Sequence, residues 1–374
     1  MGRLVISTVG TSLLTNQIDR AYEDNYYDRL RDTANCSSVE IEKYHEDVTD
    51  IIKILKERAE EKLGSNIDEI RDASAELNGI YGLYENKIHQ SEQDIHWLIA
   101  SDTAQDQVSA ELLQSFLSQK GLNISIYTPK DFTLGSNEAF TQGIDELLNW
   151  FEDIIPGYKD SGYEIQFNLV GGFKAIQGFV NTIGMFYADK IIYIFEGRNS
   201  EIITIPRLPI KIDTEVIKPV AFALMSQGAW IDLKQLTGVP ETLLYIVGDK
   251  AILSNWGRLI WNRSKNNFLN GDLLVLPHIK YEPAFTRDYE SRKDRSERIK
   301  LQETLAKVSH LLIKSNGDTA PLKGDGGVLY EVYQNKGSIA HFRVTQGIRV
   351  SCTAASGVLN LRRYGKEPEV NNNP

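Results

Sequence analysis

Short apolar runs alternate with longer stretches of helical periodicity over the first part of the chain, up to residue 210. The apolar runs lie at residues 4–8, 96–100, 124–127, 191–195 and 202–205, and apolar residues alternate with polar ones at residues 163–169. Strands that alternate with helices predict an α/β fold, with a parallel, Rossmann-like sheet covered on both faces. The last two runs predict a terminal hairpin around Gly197-Arg198-Asn199.

Two further segments are predicted to be mainly helical. Within residues 17–93, Ile51 and Leu55 fall on one helical face. Within residues 213–277, the stretch 233–240 resembles the middle of a helix-turn-helix, but no basic recognition helix follows it. We therefore expect a helical linker here, and a winged helix that binds DNA stays open as the alternative.

The end of the chain combines one long helix with several short β-segments. Residues 295–314 are amphipathic, and Leu301 and Leu305 lie on their apolar stripe. The β-segments fall at residues 328–333, 339–344, 348–352 and 358–364. This pattern predicts a small α+β domain, so we expect three domains with bounds 1–212, 213–277 and 278–374.

Charge is unevenly divided along the chain. Residues 278–374 carry 16 Lys and Arg against 11 Asp and Glu, whereas the whole chain has a net charge of −10. An acidic body repels nucleic acid and a basic terminal domain attracts it.

Composition excludes several classes of site. Cys36 and Cys352 provide no disulfide framework, and the six histidines have no spacing typical of a metal site, so no metal is expected. The chain opens directly into a predicted strand, and no apolar run is long enough to span a membrane. We expect a cytoplasmic protein without membrane contact.

Three predicted strands end in sequences that could hold phosphate. These are Gly10-Thr11-Ser12, Ser101-Asp102-Thr103 and Asn168-Leu169-Val170-Gly171-Gly172-Phe173-Lys174. Ligands bind beyond the carboxyl ends of strands in an open parallel sheet, where glycines allow close approach and helix N-termini attract anions. A glycine after a strand is by itself only a tight turn, but three such ends on one sheet edge predict a ligand site. Neither a dinucleotide-binding nor a Walker-type glycine pattern is present.

Two of these stretches resemble the signatures of CARF domains, the CRISPR-associated Rossmann-fold sensors. They are Thr8-Val9-Gly10-Thr11-Ser12-Leu13-Leu14 and Asn168-Leu169-Val170-Gly171-Gly172-Phe173-Lys174-Ala175. The resemblance covers about residues 1–212. It implies a homodimer that binds a cyclic oligoadenylate made by a type III CRISPR complex. Cyclic tetra-adenylate is the expected ring, because it can adopt the two-fold symmetry of such a dimer.

The terminal domain supplies many cations within a short span. They are Lys323, Arg343, Arg349, Arg362, Arg363 and Lys366. His341 and Arg343 are two residues apart on one predicted strand and therefore share a face. Such a surface suits RNA phosphate and could neutralise the charge of a transition state without a metal. Tyr330, Tyr333, Phe342 and Tyr364 are candidates for base stacking or, equally, for core positions.

This domain resembles the RelE family of ribosome-dependent mRNA endonucleases. The matching motifs are Leu322-Lys323-Gly324, Ala340-His341-Phe342-Arg343-Val344, Gly347-Ile348-Arg349-Val350 and Leu361-Arg362-Arg363-Tyr364-Gly365-Lys366. The resemblance implies that Lys323, Arg343 and Arg349 grip the scissile phosphate and that His341 assists proton transfer. The RNA 2′-hydroxyl would then be the nucleophile, and Arg362 and Lys366 would complete the basic site. Glu367 departs from the pattern, which often has a basic residue there.

Together these features predict a cyclic oligoadenylate-activated, metal-independent endoribonuclease of type III CRISPR defence, which cleaves mRNA on the ribosome. Two alternatives stay open. One is a transcription regulator that binds DNA through residues 213–277. The other is a ring nuclease, in which Thr11 and Lys174 take part in cleaving the bound oligoadenylate.

Overall fold

A computed structural model describes residues 2–130, 132, 136–195, 200–334 and 336–374. The chain forms two compact units, Met1–Lys211 and Ile212–Pro374. The predicted hairpin centre, Gly197-Arg198-Asn199, lies outside the described residues.

A six-stranded sheet forms the centre of the first unit. Its strands are β1 (Arg3–Thr8), β2 (Ile95–Ile99), β3 (Asn123–Tyr127), β4 (Glu164–Asn168), β5 (Lys190–Ile194) and β6 (Ile202–Pro206). The order is β3-β2-β1-β4-β5-β6; the first five are parallel and β6 is antiparallel to β5. The predicted parallel α/β sheet is confirmed. Because β1 lies between β2 and β4, the chain order reverses there, and the ends of β1 and β4 mark the ligand crevice of such sheets.

Nine described α-helices accompany this sheet. They are α1 (Ser12–Thr15), α2 (Asp24–Asp32), α3 (Ser38–Tyr44), α4 (Glu46–Leu63), α5 (Ile67–Ala73), α6 (Ala75–Leu83), α7 (Ala104–Gln119), α8 (Asn137–Asp160) and α9 (Lys174–Tyr187). Helices α2–α6, which we call the helical insert, lie in the chain between α1 and β2. Side-chain caps begin three of these helices: Ser37 for α3, Asn66 for α5 and Ser74 for α6.

The second unit begins with a small mixed segment. Its elements are α10 (Pro219–Ser226), β7 (Ile231–Asp232), β8 (Leu244–Val247), β9 (Lys250–Leu253) and α11 (Asn255–Leu269). The three strands form an antiparallel sheet in the order β7-β9-β8. Residues 213–277 therefore contain helices, as expected, and in addition a small sheet that the sequence pattern did not predict. The apolar runs of β8 and β9 flank a turn in which Gly248 has a φ of +63°, a conformation that favours a hairpin.

A five-stranded sheet forms the rest of the second unit. Its strands are β10 (Ile279–Tyr281), β11 (Glu331–Val332), β12 (Ile339–Arg343), β13 (Ile348–Ala355) and β14 (Val358–Lys366). The order is β10-β14-β13-β12-β11, with β10 parallel to β14 and the other pairs antiparallel. The helices are α12 (Pro283–Ser291), α13 (Arg295–Lys314), α14 (Ala320–Gly324) and α15 (Glu367–Asn372).

One cluster of buried apolar side chains extends through the second unit, from Ile217 to Tyr364. The division into three domains stays a prediction. None of the helices in the described part of the chain is long and apolar enough to cross a membrane. Within that same part, no three His, Cys, Asp or Glu side chains are grouped so that they could hold a metal ion.

Candidate functional site

The turns after β1 and β4 are in direct contact. A Cβ placed on Gly10 would lie 2.9 Å from the Cα of Gly172. Gly172 has a φ of +108°, and a Cβ there would lie 3.0 Å from the Cβ of Thr8. The hydroxyl of Thr8 donates a hydrogen bond to the carbonyl oxygen of Gly171. Only glycines permit this approach, so the two turns form one surface at the switch point of the sheet.

A buried carboxylate joins the first of these turns to the helical insert. Glu76, in the first turn of α6, has no exposed surface. Its Oε1 accepts a hydrogen bond from the Gly10 backbone N–H at 2.9 Å, and its Oε2 accepts one from the Ser12 hydroxyl at 2.8 Å. Burial raises the pKa of Glu76 above its usual range. The Gly10 N–H and the Ser12 hydroxyl are thus engaged within the protein.

The hydroxyl groups in the turn after β2 also form hydrogen bonds within the protein. The hydroxyl of Ser101 donates to Asp106 Oδ2 at 2.5 Å and lies 2.9 Å from the Thr103 hydroxyl. Ser101 and Thr103 are both buried, whereas Asp102 is half-buried. Burial raises the pKa of Asp106 to about 7. Of the three predicted positions in this turn, Asp102 is the most exposed to a ligand.

The turn after β4 is held by one side chain at the end of the sheet and by one side chain of α9. Asn168 is buried and donates from Nδ2 to the Ser7 hydroxyl at 3.1 Å. The Gln177 side chain donates to the carbonyl oxygens of Leu169 and Gly171, both at 3.0 Å. These contacts fix the backbone on which the glycines lie.

Four predicted positions of this surface are open to a ligand. Thr11, Gly172 and Phe173 are half-buried, and Lys174 is exposed. Phe173 precedes the first residue of α9, a helix of 14 residues, so backbone N–H groups of its first turn lack partners within the helix. The arrangement offers backbone donors, one hydroxyl and one ammonium group to an anion.

The second unit brings three of the predicted basic residues together. His341 and Arg343 share one face of β12, and Arg343 lies directly opposite Arg349 of β13. Arg349 is only 6% exposed. Its guanidinium donates to the carbonyl oxygen of Thr345 at 3.1 Å and pairs with Glu367 Oε1 at 3.2 Å. Arg349 is therefore held by a carboxylate at the start of α15.

His341 lies between an aromatic ring and a carboxylate. Its ring centroid is 4.4 Å from that of Tyr333, and its Nε2 is 3.9 Å from Glu331 Oε2. Burial lowers the pKa of His341, the positive charge of Arg349 lowers it further, and Glu331 partly offsets both effects. His341 Nδ1 is buried without a hydrogen-bond partner in the described part of the chain. A neutral imidazole is thus favoured near pH 7, and it can accept a proton.

The other predicted basic residues do not belong to the group formed by His341, Arg343 and Arg349. Lys323 of α14 and Lys366 at the end of β14 are exposed. Arg362 is 3.9 Å from Glu282 Oε2. Arg363 binds Asp288 through two hydrogen bonds of 2.7 and 3.1 Å.

Most of the aromatic candidates for base stacking are core residues. Tyr330, Phe342 and Tyr364 are 5%, 0% and 2% exposed. Alternation along β12 and β14 turns Phe342 and Tyr364 to the buried face, and Tyr330 directly precedes β11. Tyr333 is half-buried and its hydroxyl donates to Asn371 Oδ1 at 2.6 Å. Of the four, Tyr333 alone retains some exposure beside the basic residues.

Sequence reasoning did not find Glu76, Asp106 or Glu367 as members of these sites. Glu76 is 66 residues from Gly10 in the chain. The signal that could have drawn attention to it is a lone acid in the small and apolar run Ala75-Glu76-Leu77-Asn78-Gly79-Ile80. Glu367 had been noted only as a departure from a family pattern.

Residues 71–208 match the family model described as CRISPR-associated protein (Cas_APE2256). This match supports a CRISPR-linked role for the chain. The matched segment extends from α5 past the end of β6, so it contains Glu76 and the turn after β4. The turn after β1 and the whole second unit lie outside it.

Proposed function

We propose that the chain is a ribonuclease of type III CRISPR immunity that a cyclic oligoadenylate switches on. One observation carries the proposal: two glycine turns meet at the switch point of a parallel sheet, and the second of them, with Lys174 beside it, lies in the segment that matches a CRISPR-associated family. This geometry suits a phosphate-rich ligand. The CARF-like signatures of both turns make a cyclic oligoadenylate the ligand that fits best.

The proposed sensor works as a homodimer. Each subunit supplies Thr11, Gly172 and Lys174, and a ring of four adenylates meets the same groups twice. The exposed ammonium of Lys174 forms charge-assisted hydrogen bonds with ligand phosphate. Ser101 and Asn168 serve as supports of the surface.

The proposed nuclease is the second unit. Its sheet carries His341, Arg343 and Arg349 on one face, which agrees with the RelE-like layout of the sequence. The RNA 2′-oxygen attacks the adjacent phosphorus while the P–O5′ bond breaks. His341 accepts the proton that leaves the 2′-hydroxyl, and the departing 5′-oxygen takes up a proton from solvent. Arg343 and Arg349 stabilise the charge that grows on the phosphate oxygens. RNA phosphate has to compete with Glu367 for Arg349, because the two side chains pair at 3.2 Å.

Binding of DNA through residues 213–277 has less support. The three-stranded sheet β7-β9-β8 has the form of a winged domain. The segment before its hairpin is a three-residue turn, Glu241–Leu243, and not a basic recognition helix. Tyr245 and Val247 of β8 are exposed apolar residues, which do not suit a phosphate backbone.

An RNA-cleavage assay tests the proposal. The full chain is incubated with RNA in the presence and absence of cyclic tetra-adenylate, and the assay is repeated with translating ribosomes. We expect cleavage that depends on the ligand and increases with ribosomes. Lys174→Ala should need about ten- to a hundredfold more ligand, since it loses charge-assisted contacts. Absence of ligand-dependent cleavage under both conditions would contradict the proposal.

A further inference from the structure

Burial of the Glu76 side chain is energetically unfavourable. A buried carboxylate loses its hydration, and only strong hydrogen bonds compensate for that loss. Glu76 has them: Gly10 N–H donates to one oxygen at 2.9 Å and the Ser12 hydroxyl donates to the other at 2.8 Å. The Ser12 hydroxyl in turn accepts from Ala75 N–H at 3.0 Å. Both carboxylate oxygens are therefore committed to the turn after β1.

The same carboxylate also determines what the turn after β4 can contain. A Cβ placed on Gly171 would lie 2.0 Å from Glu76 Oε1. Gly171 does not have a positive φ, so space and not backbone conformation requires a glycine there. The Gly171 carbonyl oxygen accepts from the Thr8 hydroxyl at the end of β1. Glu76 thus lies between the two turns and contacts both.

We propose that Glu76 is a positioning residue of the anion site. It fixes the turns after β1 and β4 relative to each other, so that Thr11, Gly172 and Lys174 can reach the same ligand. Because Glu76 belongs to α6, it also links the helical insert to ligand binding. This inference rests on the proposed sensor function. Glu76 itself has no exposed surface and acts through the turns.

Calorimetric titration of the full chain with cyclic tetra-adenylate tests the role, alongside thermal unfolding of each variant. Glu76→Gln keeps an oxygen that accepts from Gly10 N–H and an amide that donates to the Ser12 hydroxyl. We expect its affinity to stay within about threefold of the wild type, and Glu76→Ala to lose tenfold or more, since two anchoring hydrogen bonds disappear. Equal affinities for wild type and Glu76→Ala would overturn the inference, as would equal losses in both variants.

Substitution of Gly171 tests the same contact without removing the carboxylate, and the single variant Gly171→Ala is informative even if Glu76→Ala does not fold. Gly171→Ala places a methyl group against Glu76 and should weaken binding about tenfold. In the Glu76→Ala background the same substitution should cost much less, because the collision is gone. Gly178→Ala is the matched control: Gly178 is exposed on α9, nothing lies within 4 Å of its added Cβ, and its affinity should not change. If Gly171→Ala binds the ligand with wild-type affinity, the proposed positioning role of Glu76 is contradicted.

The outcomes separate this inference from the function on which it rests. If the wild-type chain does not bind cyclic tetra-adenylate, the sensor function fails and this inference fails with it. If the wild type binds and the substitutions at Glu76 and Gly171 leave the affinity unchanged, the sensor function stands and only the positioning role is lost.

Discussion

Arg349 is held on two sides in the folded second unit. Its guanidinium donates to the Thr345 carbonyl oxygen and pairs with Glu367, and 6% of its surface is exposed. A planar guanidinium can hold two oxygens of one phosphate, so it suits a charge that grows only in the transition state. The same contacts also suit a structural role, in which Arg349 joins the start of α15 to β13. Activity per folded molecule distinguishes the two roles.

Arg349→Ala should abolish RNA cleavage while ligand binding and dimerisation stay intact. Loss of one such donor from a site poor in water typically costs about 10²–10³ in rate. Single-turnover cleavage, normalised to the folded fraction, measures the effect.

Glu367→Gln is the matched control for this prediction. It removes the ionic partner of Arg349 but keeps the guanidinium and a hydrogen-bonding side chain. If Arg349 acts on the phosphate, Glu367→Gln should keep its rate or exceed that of the wild type, since RNA no longer competes with a carboxylate. A rate near that of the wild type in Arg349→Ala would show that the active site lies elsewhere.

The elements differ in how far their sequence patterns predicted them. β1 contains the continuous apolar run Leu4-Val5-Ile6, and apolar residues alternate with polar ones through β4, so the sequence pattern identifies both strands directly. Strands β8 and β9 were missed because four-residue strands beside helical segments give no distinct periodicity. The turns after β1 and β4 were predicted as one site because parallel strands end at one edge. Glu76 was not predicted as part of this site, because its contact with Gly10 depends on how the helical insert folds against the sheet.

The turn after β4 requires glycine at residue 172. Gly172→Ala has to adopt a φ of +108° and brings a Cβ within 3.0 Å of Thr8. Gly162→Ala is the matched control, because Gly162 has a φ of +82° but nothing within 4 Å of an added Cβ. We expect the free energy of unfolding to fall by about 1 kcal/mol in Gly162→Ala, because of the backbone conformation alone. In Gly172→Ala it should fall by about 1–3 kcal/mol more, because the added Cβ also collides with Thr8.

Denaturant unfolding of both variants measures this difference, and ligand titration adds a second measure. Gly172→Ala should weaken ligand binding, whereas Gly162→Ala should leave the affinity unchanged. Equal stability losses in the two variants would mean that the β1 and β4 turns do not touch as described.

At the scale of the whole molecule, the two proposed activities, ligand binding and RNA cleavage, fall in regions of different net charge. The chain has a net charge of −10, whereas residues 278–374 carry an excess of cations. An acidic body discourages unspecific binding of RNA, so productive contact is confined to the basic part. A ligand that carries several phosphates then needs a local site that overcomes this repulsion, and the surface around Lys174 offers one.

Cleavage by this molecule should proceed without a divalent metal. Arg343 and Arg349 lie opposite each other on β12 and β13 and can supply the positive charge that a metal ion provides in metal-dependent nucleases. Attack by the 2′-oxygen leaves a 2′,3′-cyclic phosphate and a 5′-hydroxyl, because the P–O5′ bond is the one that breaks. We therefore expect ligand-dependent cleavage of free RNA to persist in EDTA. Analysis of the RNA ends by mass spectrometry should identify both groups. Loss of cleavage in EDTA while the RNA stays intact, or products with a 5′-phosphate, would point to a water nucleophile activated by a metal and would remove His341 from the proposed role of proton acceptor.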